Sequence, residues 1–139
     1  CSNPPKTYIS VRPERYSYEI IKSSGEFCIN LTTAELAKAT DYLGVRSGRN
    51  EDKLARLGLS VSAAQSVSAP ILDVDSIIPL GSHNMFIADI VAVDAARELL
   101  DEKGRLCLDK AGLLAYSHGE YYTLGKKVGK FGYSVRKKK

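Results

Sequence analysis

Apolar and polar positions change places in short runs from the start of the chain. Thr7 to Val11 is rich in β-branched and aromatic residues, which predicts a strand. Arg12-Pro13-Glu14-Arg15 predicts a turn, with Pro13 presetting φ for its first corner. Tyr16 to Ser24 then predicts a short helix that stops at Gly25. A second strand is expected over Glu26–Leu31. Thr32 and Glu35 have the spacing of a capping box. The following helix would present Leu36, Ala39, Tyr42 and Leu43 on one face and end at Gly44. Val45 to Asn50 is a polar loop, and Asn50 is placed to cap a short helix, Glu51–Leu57, which Gly58 stops.

The second half repeats the short-run pattern. Ser60 to Ala69 alternates Ser, Val and Ala and predicts a surface loop. Val74–Ile78 predicts a strand, Pro79 to Ser82 a turn, and Met85–Val93 a largely buried strand in the longest apolar run. Asp101 to Gly104 is a turn signal inside a hairpin or strand tip over Leu99–Leu108, and Lys110 to Leu114 a short helical turn. Tyr116 to Leu124 reads as a last strand, and Gly129 to Val135 closes the pattern. Short strands interrupted by two or three helices suit a mainly β fold, an antiparallel barrel with peripheral α-helices. No Gly-x-Gly-x-x-Gly follows a strand, which argues against a doubly wound dinucleotide fold.

Composition changes this picture little. With 139 residues, 44% hydrophobic and 26% charged, the chain is one domain of ordinary globular make-up. No apolar run approaches the roughly 20 residues of a membrane helix, so no membrane partner is expected. Cys1, Cys28 and Cys107 have no metal-ligand spacing. Their odd number points to reduced thiols and a cytoplasmic location, and Cys28, in the apolar run Phe27–Leu31, reads as core. The net charge of +4 concentrates at the C-terminal end, at Lys126, Lys127, Lys130, Arg136, Lys137, Lys138 and Lys139. Without a recognition-helix pattern this is read as a solvated tail, with no nucleic-acid partner.

Candidate chemistry collects at the turn before the first helix. A helix N-terminus presents unpaired backbone N–H groups and the positive end of the helix dipole. Arg12, Arg15 and the Ser17 hydroxyl sit beside it, a set that suits a phosphate group. The alternative is that Ser17 caps the helix and the arginines are solvated. Lys53 lies in the first turn of its helix, where a cation opposes the dipole, so a separate partner is expected. His83 stands at a turn before the buried strand, where an imidazole can titrate, donate a hydrogen bond or contact a phosphate. His118, in Ser117-His118-Gly119, reads as a turn residue. No metal site and no Gly-x-Ser-x-Gly hydrolase elbow is present.

Several of these stretches, in this order, resemble the flavin reductase-like family of FMN-binding split β-barrels, most nearly its flavoredoxin-like subgroup. They are Arg12-Pro13-Glu14-Arg15-Tyr16-Ser17, Ser24-Gly25-Glu26-Phe27 through Leu31, Ser47-Gly48-Arg49 with Asp52-Lys53, Leu80-Gly81-Ser82-His83 before Met85-Phe86-Ile87-Ala88, Tyr116 through Gly119 to Tyr121-Tyr122, and Gly129-Lys130-Phe131-Gly132. The resemblance implies a Greek-key split barrel, FMN as cofactor, NAD(P)H as electron donor and a homodimer. It implies an NAD(P)H-dependent flavin reductase, or a reductase acting through bound FMN. An FMN electron carrier without its own NAD(P)H reaction, served by a redox protein partner, is the alternative.

The resemblance also assigns roles. Ser17, with Arg12 or Arg15, would hold the FMN phosphate, and Lys53 would reach the phosphate or the polar edge of the ring. Ser2, Asn3 and Pro4 would lie under the isoalloxazine, near Cys1. His83 would line the side on which the reductant approaches. Tyr116 or Phe131 would pack on the ring, from the same or a neighbouring subunit. The family carries further strands ahead of a segment like Cys1 to Pro5 and a further piece between the positions of Leu72 and Asp73, so both are expected to be missing from this sequence.

Overall fold

The structure, a computed structural model, describes residues 1–60 and 72–135. The loop expected over Ser60–Ala69 and the basic residues 136–139 therefore lie outside the described residues, apart from Ser60 itself. The central element is an antiparallel sheet of four strands, β1 (Lys6–Val11), β2 (Glu26–Phe27), β3 (Leu72–Leu80) and β4 (His83–Ile90), in the order β1-β4-β3-β2. β3 and β4 form a hairpin closed by Gly81-Ser82, with Leu80 opposite His83. Gly81 takes φ +72°, which a two-residue hairpin turn needs and a β-carbon opposes. Leu72 and Asp73 are successive residues of β3, in register with Ile90 and Asp89, so the expected junction falls inside a continuous strand.

Alternation along β4 decides where the core lies. Phe86 and Ala88 are fully buried on one face. Helix α1 (Tyr16–Ser24) covers that face and inserts Tyr18, whose ring meets Phe86 edge-on at 5.5 Å and 72°. Asn84 Nδ2 donates to Tyr18 Oη at 2.7 Å, so the half-buried phenol keeps a partner while its ring packs. With Leu72, these complete the buried hydrophobic residues among those described. The opposite face carries Tyr8 beside Ile87, and Met85 between Ser10 and Ile78. Tyr8 and Ile78 are exposed there.

At the far end of the sheet, Lys6 Nζ bridges Asp89 at 2.8 Å and Asp75 at 3.3 Å, across three strands. The hydrogen bond to Asp89, ahead of the contribution from Asp75, raises the Lys6 pKa. Asp75 reaches this ladder because the register shifts between Val74 and Ser76.

Helix α1 has the predicted bounds and ends at Gly25, which takes φ +73° and donates its N–H to Ile21 O. Other elements differ from the sequence pattern. Among the described residues β2 ends at Phe27, paired with Leu72 and Asp73, and Cys28 is exposed, not in the core. The Thr32/Glu35 capping box does not form. Thr32 O accepts from Leu114 N, which holds this backbone extended, and a 3₁₀ turn over Ala34–Leu36 leads into α2 (Ala37–Val45). Gly44 lies inside α2 and does not end it. Asp52, not Asn50, caps α3 (Lys53–Leu57): its Oδ1 accepts from Leu54 N and Ala55 N, both at 3.1 Å. Gly58 stops α3 as expected.

Asp101 organises the predicted turn, accepting from Arg105 N and Lys103 N. These bonds hold its carboxyl below the usual carboxylate range. The short helical turn comes earlier than expected, at Leu108–Lys110. The last strand is in fact a hairpin, β5 (Leu114–Ser117) and β6 (Glu120–Thr123). His118 and Gly119 both have positive φ, 49° and 85°, the geometry of a two-residue turn that twists with its strands. Tyr121 Oη donates to Asp41 Oδ1 at 3.1 Å and ties this hairpin to α2.

A cationic cleft at the start of helix α1

A cleft of about 1030 Å³ opens between the first turn of α1 and the α2–α3 connection. Arg15, Tyr16 and Ser17 line it from the α1 side, and Arg46, Ser47, Arg49 and Lys53 from the loop side. Two helix starts border it, and they differ. Asp52 occupies the donors at the start of α3. The start of α1 has Arg15 at its N-cap position and no side-chain cap. Ser17 is thus not a cap, and its hydroxyl makes no hydrogen bond among the described residues. The first N–H groups of α1 and the Ser17 hydroxyl together form an acceptor-poor corner in which an anion is stabilised.

The loop wall is held in place from two sides. Lys53 Nζ donates to Leu43 O at 2.7 Å and to Arg46 O at 3.1 Å. The separate partner expected for this lysine is therefore the C-terminal end of α2, where a cation is favoured. An ammonium has three N–H donors, so Lys53 can make one further bond while it ties α2 to α3. Arg49 lies over the Tyr16 ring at 5.0 Å from its centroid. Gly48 sits beneath: a β-carbon there would come within 3.2 Å of Tyr16 Cδ1. The loop approaches α1 closely because this position carries no side chain.

Charge in the cleft is unevenly satisfied. Asp52 caps α3, Glu51 accepts from Tyr42 Oη at 2.8 Å, and Glu14 pairs with Arg12 at 3.5 Å. The side chains of Arg15, Arg46 and Arg49 have no carboxylate partner among the described residues. The carboxylates are committed and three guanidiniums are not, which makes the cleft a place for an anionic ligand.

Of the residues singled out in the sequence, Arg15, Ser17 and Lys53 come together here. Arg12 lies outside this cleft, in a smaller depression of about 350 Å³ shared with Glu14 and Arg15. His83 stands at the same end of the sheet, since Val11 pairs with Asn84. Alternation puts it on the face opposite Asn84 and Tyr18, with Nδ1 2.9 Å from Ser82 Oγ. Ser2, Asn3 and Pro4 form an exposed turn at the other end of β1, where Ile90 N donates to Pro5 O. The six residues of β1 lie between them and the turn that leads into α1. Tyr116, on β5 and tilted against the Tyr121 ring at 5.2 Å, and the fully exposed Phe131 also lie outside the cleft. Sequence reasoning did not single out Arg46, Tyr16 or Asn84. Their signal is contact across long chain separations, although Arg46 and Arg49 in one glycine-containing loop were a visible excess of charge.

Among the described residues no group of His, Cys, Asp and Glu could hold a metal ion, and no helix is long and apolar enough to cross a membrane. A family profile described as the flavin reductase like domain matches residues 1–125. The flavoredoxin of Desulfovibrio vulgaris (Miyazaki F) superposes with a TM-score of 0.86 at 29% identity, over 98% of this chain and 79% of that one. Flavoredoxin from Methanosarcina acetivorans gives 0.82 at 25% identity, over 96% and 78%. A putative flavin reductase with a split barrel domain from Shewanella frigidimarina gives 0.80 at 21%, over 96% and 73%, a likeness of fold. Two curated relatives without assigned function come from Aeropyrum pernix and Archaeoglobus fulgidus. They are 28% and 27% identical over 65% and 68% of this chain, which spans only 38% and 59% of their lengths. The antiparallel sheet with its few peripheral helices is thus the half-barrel of a split-barrel fold, and the chain belongs to the flavin reductase-like family.

Proposed function

We propose that this protein binds FMN and is an NAD(P)H-dependent flavin reductase, or a reductase that works through bound FMN. The observation that carries this reading is the uncapped start of α1, opening with Ser17 and Arg15 into a cleft rich in unpaired guanidinium groups. The first-turn N–H groups, the Ser17 hydroxyl and Arg15 would hold the phosphate. Lys53 would add its remaining N–H from the loop side, and Arg12 would contribute to the potential from outside the cleft. The family membership supports a flavin, and the donor set suits its phosphorylated form. When bound, FMN supplies hydride acceptance and onward electron delivery. The protein's own part is to bind, orient and leave one face accessible. Ser2, Asn3 and Pro4, with Tyr116 or Phe131, remain the proposed neighbours of the ring.

A homodimer belongs to the same proposal. The sheet face carrying Tyr8, Ile87, Met85 and Ile78 leaves Tyr8 and Ile78 exposed and Met85 and Ile87 partly exposed, and Phe131 is fully exposed. A second copy would cover such surface. Sedimentation of the purified protein at about twice the chain mass supports this, and a monomer at every concentration removes it.

His83 is proposed on the donor side. His83→Ala should slow anaerobic flavin reduction by NAD(P)H about three- to fifteen-fold, the effect of one lost positioning hydrogen bond. FMN affinity should stay nearly unchanged. Loss of FMN in this variant would make His83 a cofactor ligand instead. The test of the function itself is anaerobic bleaching of the bound flavin by NADH or NADPH. If FMN binds but neither nucleotide bleaches it, the electron-carrier alternative replaces the reductase.

A further inference from the structure

Resting on the reading above, we propose that Arg46 and Arg49 form a second phosphate subsite on the loop wall of the cleft. It would take the ribose 2′-phosphate of NADPH and so select NADPH over NADH. Three observations carry this. One phosphate needs only the α1 corner with Arg15 and Ser17, yet Arg46 and Arg49 also line the cleft, and neither has a carboxylate partner among the described residues. Arg49 is not a free arm: it lies on the Tyr16 ring, and Gly48 lets the loop press against that ring. A guanidinium resting over an aromatic ring still has N–H donors free for a phosphate and a side open to a purine base. A cleft of about 1030 Å³ is also far larger than one phosphate requires and lies at the upper end of small-molecule sites.

The geometry separates the two subsites by chain element. The flavin phosphate would sit on the α1 side, and the 2′-phosphate on the Arg46–Arg49 side. A 2′-phosphate carries close to two negative charges at neutral pH, and an arginine pair matches it where the uncharged 2′-hydroxyl of NADH offers nothing comparable. Tyr16, lying under Arg49, is then a positioning residue for the donor.

The test uses the full chain saturated with FMN, titrated calorimetrically with adenosine 2′,5′-bisphosphate and with adenosine 5′-monophosphate. The bisphosphate should bind about ten- to a hundred-fold tighter. Arg49→Gln should remove most of that difference, and Arg49→Lys, which keeps the charge but loses the planar stack, should keep part of it. Affinity for FMN itself should stay within about twofold in both variants. In anaerobic reduction, Arg49→Gln should raise the NADPH concentration needed for half-maximal rate by a similar factor and shift the NADH value far less, since NADH loses only the stack on its base. Equal binding of the two adenosine phosphates by the parent would overturn the proposal. So would a parallel loss of FMN in Arg49→Gln, which would assign Arg49 to the flavin phosphate. If the parent binds the bisphosphate preferentially but never retains FMN, the second subsite stands and the flavin reading fails.

Discussion

Phe86→Ala is expected to lower the free energy of unfolding by about 3–5 kcal/mol. Phe86 is 0% exposed and is the largest fully buried side chain among the described residues. Its removal deletes the ring against which Tyr18 packs, so α1 loses its main anchor on the sheet. The remaining buried hydrophobic residues described, Tyr18, Leu72 and Ala88, are too few to refill the space. A domain of this size is stable by only about 5–15 kcal/mol, so the substitution removes a large share of that stability. Because the start of α1 forms one wall of the cleft, ligand binding should fall with stability. Urea unfolding followed by far-UV circular dichroism checks this, and a loss below about 1 kcal/mol would mean that α1 is held by something other than the Tyr18–Phe86 contact.

The second large effect is on ligand affinity, with the fold intact. Arg15→Ala and Ser17→Ala should each weaken FMN binding by about 1.5–3 kcal/mol, or ten- to a hundred-fold. Both residues line the cleft, Ser17 has no competing hydrogen bond, and Arg15 has no carboxylate partner among the described residues. Arg12→Ala should cost less, since Arg12 lies outside the cleft, is mostly exposed and is already paired with Glu14. Such an exposed pair is worth little, so freeing Glu14 should add only a small repulsion. Riboflavin, which lacks the phosphate, should bind all three variants as it binds the parent. Flavin fluorescence titrations distinguish these cases. Equal sensitivity of FMN and riboflavin to Ser17→Ala would move the phosphate away from α1.

The sequence made the elements with local causes legible. Pro13, the Tyr16–Ser24 pattern and Gly25 define α1 within the chain's own neighbourhood, and the structure keeps those bounds. The apolar run from Met85 became the central strand β4 because both its neighbours are antiparallel partners that need its length. What failed depended on distant partners. Glu26–Leu31 has strand composition, but among the described residues it pairs with β3 at two positions. The capping box at Thr32 lost to pairing with the start of β5, some 80 positions away. The turn at His118-Gly119 was visible as a turn, but its role in folding Tyr116–Leu124 into a hairpin was not.

The site divides in the same way. The α1 corner was readable because helix-end donors, arginines and serine lie within six residues. The partner predicted for Lys53 proved to be the end of a preceding helix, with a structural role that a phosphate contact would have to share. Asn84 anchoring Tyr18, and Arg49 resting on Tyr16, join positions 66 and 33 apart in the chain, and no local pattern announces either.

The most direct test of the central claim is a paired titration of the unaltered protein with FMN and with riboflavin at one ionic strength. Binding governed by a phosphate site at the start of α1 predicts saturable FMN binding about a hundredfold or more tighter than that of riboflavin, weakening as salt is raised. Equal affinities for the two flavins, or no binding of either, would contradict it.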